Sequence, residues 1–62
     1  MVEEYLVTGQ GYEKNDPYKQ TILLYDTFNA SSENDAKSQF NIKYSPSHKI
    51  INIYSAQNLD QT

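Results

Sequence analysis

Cysteine, arginine and tryptophan are all absent from this chain. Without cysteine no disulfide framework can form, and a lone histidine, His48, cannot complete a structural zinc site. Without arginine there is no planar fork to grip phosphate or guanine through two bonds, so direct nucleic-acid binding is disfavoured. Only the single charges of Lys37, Lys43 and Lys49 keep it open in the second half of the chain. Long apolar runs are missing too, and the opening Met1-Val2-Glu3-Glu4 carries neither a basic nor an apolar segment. Neither a signal peptide nor a transmembrane helix is expected, and the expected compartment is the cytoplasm. Asn29-Ala30-Ser31 fits the glycosylation tripeptide, a match short enough to arise by chance.

What is present is one small acidic domain. A chain of 62 residues buries roughly 60% of the surface its unfolded form exposes, which leaves stability marginal. A well-patterned core or a dimer would remedy this. The net charge is −3, unevenly spread. Up to Asp35 the acids Glu3, Glu4, Glu13, Asp16, Asp26, Glu33 and Asp35 face only Lys14 and Lys19; afterwards Asp60 stands against three lysines. Such a surface serves solubility as readily as recognition.

The elements follow from local pattern. Residues 3–12 read as a strand, with β-formers at Tyr5, Val7 and Thr8. Gly9 and Gly11, two apart, lie on one face of it and leave that face bare or mark a bulge. Glu13-Lys14-Asn15-Asp16-Pro17-Tyr18 is a polar turn without the calcium-loop spacing. Residues 18–28 read as the longest strand, with Ile22, Leu24 and Phe28 on one face and Leu23 and Tyr25 on the other. Apolar residues on both faces of a strand in so small a domain favour an interface. Ser31 or Ser32 then caps a helix over residues 32–44, with Glu33 and Asp35 in its acidic first turn. Ala36, Phe40 and Tyr44 form its apolar stripe, and Pro46 ends it. Residues 48–55 form the last strand, with Ile51 and Ile53 as the expected core pair, and residues 57–62 read as a frayed tail.

Connection rules turn this ββαβ order into a topology. The first two strands form an antiparallel hairpin, and the helix carries the chain back. Because antiparallel pairs predominate, the third strand belongs beside the first. The expectation is an α+β fold: a three-stranded antiparallel sheet in order 2-1-3, one helix on one face, the other face open and both edges unpaired. Open edges invite another strand. The expected core is Val7, Ile22, Leu24, Phe28, Ala36, Phe40, Tyr44, Ile51 and Ile53.

Catalysis finds little support. His48 has Ser45 and Ser47 near it in sequence, but a catalytic histidine needs a nucleophile and an orienting acid in space. Glu3-Glu4 and Glu33/Asp35 are better explained as a solvated strand edge and as helix-start charges. No enzyme activity, cofactor or metal is expected. Six tyrosines exceed what so small a core absorbs, and tyrosine is enriched at protein interfaces. Its β-propensity and an AT-rich genome explain the excess equally well. The expected partner-binding set is Tyr5, Tyr12, Tyr18 and Tyr25 with the acids Glu3, Glu4, Glu13, Asp16 and Asp26.

The segment Ala30-Ser31-Ser32-Glu33-Asn34-Asp35-Ala36-Lys37, followed by the hydrophobic strand at Ile50, Ile51 and Ile53, resembles the helix start of small phage-encoded anti-CRISPR proteins, particularly type I-F inhibitors. The resemblance covers about half the chain, and its layout is also similar to the archaeal ribosomal L20a-type module, a strongly basic family. The anti-CRISPR resemblance implies a non-enzymatic inhibitor in the host cytoplasm. It would bind a host protein complex such as a Cas effector and act by occlusion or charge mimicry, with acids meeting the groove that holds nucleic acid. A homodimeric accessory module and a lysine-mediated nucleic-acid binder are the alternatives.

Overall fold

The computed structural model describes residues 2–60. The chain runs β1 (Glu3–Glu13), β2 (Ile22–Ala30), α1 (Glu33–Tyr44) and β3 (His48–Asn58). The three strands form one sheet in order β2-β1-β3, antiparallel at both contacts. The fold is therefore α+β with the ββαβ layout that the connection rules require. The molecule measures 41 × 19 × 13 Å, and its thinnest dimension accommodates the sheet and one helix with no further layer.

The strand β1 is the spine. Its residues alternate in burial from Tyr5 to Gly11: the odd positions face α1 and are buried, and the even positions face the uncovered side. Opposite the odd positions of β1 stand Phe28, Asp26, Leu24 and Ile22 of β2. The helix begins where expected. Ser32 is the N-cap, its hydroxyl accepting the Asp35 N–H at 3.1 Å, and Asp35 reaches back to the Ser31 N–H at 3.1 Å. The reciprocal partner is thus Ser31, one residue upstream of the cap, and the carboxylate also sits favourably at the positive end of the helix dipole.

The core lies between α1 and β1. Phe40 and Val7 are its largest fully buried side chains, joined by Tyr5, Leu24, Ala30, Ala36 and Ala56, with Phe28, Tyr44, Ile50 and Ile53 packed around them. Phe40 meets Phe28 edge-on at 6.3 Å between ring centres and Tyr44 at 5.0 Å. The bare face of the two glycines is filled in two ways. At Gly9 the Phe40 ring lies where a side chain would be, and at Gly11 the backbone of β3 comes close.

Two expected core members are elsewhere. Ile51 is 54% exposed, because β3 carries two bulges against β1, between Thr8/Gly9 and Gln10/Gly11. The register passes from Ile53 to Ser55 and from Ile50 to Asn52, leaving Tyr54 and Ile51 without partners. Each extra residue flips the alternation, so Ile50, Ile53 and Ala56 turn inward. Ile22, 39% exposed, sits at the strand start beyond the reach of the helix.

The element bounds shift as well. Strand β2 starts at Ile22 rather than residue 18, because the Asp16 turn and Lys19, at φ 51°, keep the chain out of the ladder. Strand β3 continues to Asn58, and residues 57–60 are not frayed. Leu59 donates its N–H to the Glu4 carbonyl at 2.8 Å, and the Asp60 carboxylate accepts the Glu4 N–H at 2.8 Å. Gln61 and Thr62, the rest of the expected tail, lie outside the described residues.

Candidate protein-binding face

The uncovered side of the sheet follows from the alternation. It presents Glu4, Leu6, Thr8, Gln10 and Tyr12 from β1 and Leu23, Tyr25, Thr27 and Asn29 from β2. From β3 come Lys49, Asn52, Ser55 and Gln57, with the bulge residues Ile51 and Tyr54. Leu23 is 59% exposed, Tyr25 66% and Tyr54 53%. The Tyr54 hydroxyl donates to Gln10 Oε1 at 2.5 Å, which lays the ring over the central strand. Among the described residues the face carries two charges, Glu4 at one end and Lys49, opposite Tyr12, at the other.

The other seven acids (Glu3, Glu13, Asp16, Asp26, Glu33, Asp35 and Asp60) lie off this face. The expected partner-binding set is accordingly divided. Tyr12 and Tyr25 are on the open face, and Glu4 is at its end. Tyr5 is buried on the helix side, with its hydroxyl 3.5 Å from Asn58 Nδ2. Glu3 accepts from Asn58 Nδ2 at 2.7 Å, also on the helix side. Tyr18, 89% exposed, stands on the β1–β2 loop. Asp16 folds that loop, accepting the N–H groups of Tyr18 at 2.9 Å and Gln20 at 3.1 Å. Tyr54 and Ile51, absent from the expected set, are on the face because of the bulges, which leave no mark in the local pattern.

Asp26 is occupied within the fold. It forms a hydrogen-bonded ion pair with Lys43, accepts from the Tyr44 hydroxyl at 3.0 Å and from the Thr27 N–H at 2.8 Å. The Lys43 ammonium also lies 5.7 Å from the Phe28 ring centre and 5.6 Å from that of Tyr44, within cation–π range. The Lys43 bond holds the Asp26 carboxyl below the usual range, and Asp26 in turn raises Lys43. Burial chiefly raises Tyr44. The cluster latches the C-terminal turn of α1 onto β2.

His48 and Ser47 form the nearest approach to a catalytic pair. Ser47 Oγ lies 2.7 Å from His48 Nδ1, and the imidazole packs edge-on against Tyr44 at 5.7 Å. An open cavity of about 320 Å³ lies alongside, lined by Glu13, Lys14, Asn15, Pro46 and Ser47. The hydrogen bonds of the described residues supply no acid to orient the ring, which a hydrolytic triad requires. Ser47 closes the helix end through its N–H to the Tyr44 carbonyl at 3.1 Å, and its own carbonyl takes the Lys14 N–H at 3.1 Å. Among the described residues, no three His, Cys, Asp or Glu side chains are placed to share a metal ion, and no helix is long and apolar enough to cross a membrane. Comparison with protein-family models, curated proteins and solved structures finds no match.

Proposed function

We propose that this chain is a non-enzymatic protein-binding domain that presses its open sheet face against a partner with an apolar, weakly charged surface. The observation that carries this reading is the charge distribution: among the described residues the middle of the face is uncharged, mixing Leu23, Tyr25, Ile51 and Tyr54 with Thr8, Gln10, Asn52 and Ser55, and the charges sit at opposite ends. Tyrosine and isoleucine there contribute rigid contact area with little ordering cost for the tyrosines, while the polar neighbours Thr8, Gln10 and Asn52 remain wettable. Among the described residues phosphate would find one cation, Lys49, on this face, so a nucleic-acid strand is a poor occupant.

The anti-CRISPR resemblance makes a host nucleic-acid-handling complex the first partner to test and inhibition the mode of action. Dispersal of the acids favours occlusion over charge mimicry as the mechanism. Thr8 sits at the centre of the face on β1, flanked by Tyr25 and Ser55, so Thr8→Lys places a charge there without touching the helix side. Pull-down of a nucleic-acid-processing complex by the unaltered chain, abolished by Thr8→Lys at unchanged thermal stability, is the expected result. Capture that survives Thr8→Lys but fails on replacement of Glu33 and Asp35 by Gln and Asn overturns it.

A further inference from the structure

The two edges of the sheet are not equivalent. Glu4 directs both its N–H and its C=O toward the β3 side, to Asp60 and Leu59. Backbone direction alternates along a strand, so the even residues of β1 serve β3 and the odd residues serve β2. Opposite those odd residues stand Leu24, Asp26 and Phe28. Their neighbours Leu23, Tyr25, Thr27 and Asn29 therefore point their backbone groups at the free edge. Two of these are already engaged: the Thr27 N–H donates to Asp26 Oδ1 at 2.8 Å, and the Asn29 carbonyl accepts from Gln39 Nε2 at 2.9 Å. Leu23 and Tyr25 have no such partner among the described residues. On the other side, β3 is interrupted by its two bulges, a usual way to make an edge unfit for pairing.

We propose that the Leu23–Tyr25 stretch of β2 pairs antiparallel with the same stretch of a second copy, about a two-fold axis through Leu24. Thr27 keeps only its C=O free at this edge and Asn29 only its N–H, so the complete donor–acceptor pairs are the two N–H and two C=O groups of Leu23 and Tyr25. A two-fold pairing uses all four only when Leu23 of one copy faces Tyr25 of the other. Sliding the register toward Thr27 meets blocked groups. The stretch is uncharged, and Asp26, next to it, is neutralised within its own chain by Lys43, so two acidic copies meet without charges opposed. The outcome is one continuous six-stranded sheet with both open faces on the same side.

Area gives a second argument, which rests on the protein-binding reading, whereas the edge argument does not. Three strands ~4.8 Å apart and nine paired positions at ~3.3 Å each make a flat footprint of about 430 Å². A standard interface buries about 800 Å² per partner. One copy offers about half of that, and the joined sheet offers about 860 Å².

The test uses the full chain. Sedimentation is expected to show a concentration-dependent dimer, reduced at least tenfold in affinity by Leu23→Lys. Leu23→Pro removes only an N–H that faces the free edge and should act alike; circular dichroism checks its fold, and the lysine variant stands if it unfolds. Register is read with Leu23→Cys and Tyr25→Cys chains, whose paired Cα atoms would be about 5.5 Å apart, within disulfide range. Mixed and oxidised, the two should cross-link far more than either does alone. A monomer at about 1 mM, where even a millimolar dimer is half assembled, overturns the proposal. So does a dimer unaffected by Leu23→Lys, or cross-linking equal in single and mixed samples. Thr8→Lys lies off the edge, so a dimer that persists in it while partner capture is lost separates the two readings.

Discussion

Alanine at Gly9 and Gly11 should destabilise the fold, with the larger loss at Gly11. In an ordinary strand the same exchange stabilises by roughly 0.5–1 kcal/mol, because glycine loses more chain entropy on folding. The structure reverses that sign. A Cβ at Gly11 would collide with the Lys49 carbonyl oxygen and lie 3.2 Å from its carbon and 3.3 Å from the Ile50 Cα. All three are backbone atoms, so β3 itself must move. At Gly9 the obstacles are the Asn52 carbonyl oxygen at 2.9 Å and the Phe40 ring at 3.1 and 3.2 Å. Phe40 has no free space, being fully buried. Overpacking costs about 1–3 kcal/mol; Gly11→Ala belongs at the top of that range and Gly9→Ala near its middle. Against a total of ~3–9 kcal/mol for a chain this long, either loss is large. At about 4–8 °C per kcal/mol, Gly9→Ala should lower Tm by roughly 8–16 °C, and Gly11→Ala by more. Thermal and urea melts by circular dichroism measure both. Adding Phe40→Leu makes room at Gly9 only, so Gly9→Ala and Phe40→Leu together should cost less than their sum by about 0.5–1 kcal/mol, with no such relief for Gly11→Ala. Either alanine variant matching or exceeding the parent in Tm refutes the close approach of Phe40 and β3 to β1.

Three further outcomes are expected. Asp26→Asn should flatten the acid limb of the stability curve: the folded carboxyl titrates below its unfolded value, so its contribution is present above about pH 4 and fades as the pH falls through the lower folded value. Melts at a series of pH values compare the two proteins, and identical acid limbs would remove the Lys43 latch from the account. Ser32→Ala should cost about 1 kcal/mol by loss of the N-cap bond to Asp35; a urea titration showing no change excludes that cap. Lys19→Asn should stabilise by roughly 0.5 kcal/mol, because Lys19 sits at φ 51°, where asparagine is better tolerated, and a lower urea midpoint would contradict it.

The topology was legible because its signals are local. Ser32, Asp35 and Pro46 mark the ends of the helix, and with the helix placed, connection rules leave order 2-1-3 as the wholly antiparallel choice. The core was legible where a single period holds, as for Ala36, Phe40 and Tyr44 or for Leu24 and Phe28. It failed at Ile51 because nothing in Lys49-Ile50-Ile51-Asn52-Ile53-Tyr54 announces where a bulge falls; the bulges answer Gly9 and Gly11 on a distant strand. Tyr5 could have been placed, since it shares its parity with Val7 and both glycines. The bonds from Leu59 and Asp60 to Glu4 link residues more than fifty apart and leave no local trace. The acids misled for a related reason. Glu3, Asp16 and Asp26 cluster by count in the first half of the chain, yet each is turned to a separate task by the strand pleat or the loop.

The bulges on β3 have an evolutionary consequence. Ile51 and Tyr54 are released from the ladder and from the core, held outward by backbone that Gly9 and Gly11 accommodate. Substitution there alters the exposed surface at a smaller cost to folding than in the core, since both side chains are about half exposed and the side-chain hydrogen bond at stake is that of Tyr54 to Gln10. A domain with so small a margin of stability can rarely change many side chains at once. These two positions are where it can drift fastest, and a chain that must follow a changing partner would find its variation there while β1 and α1 stay fixed.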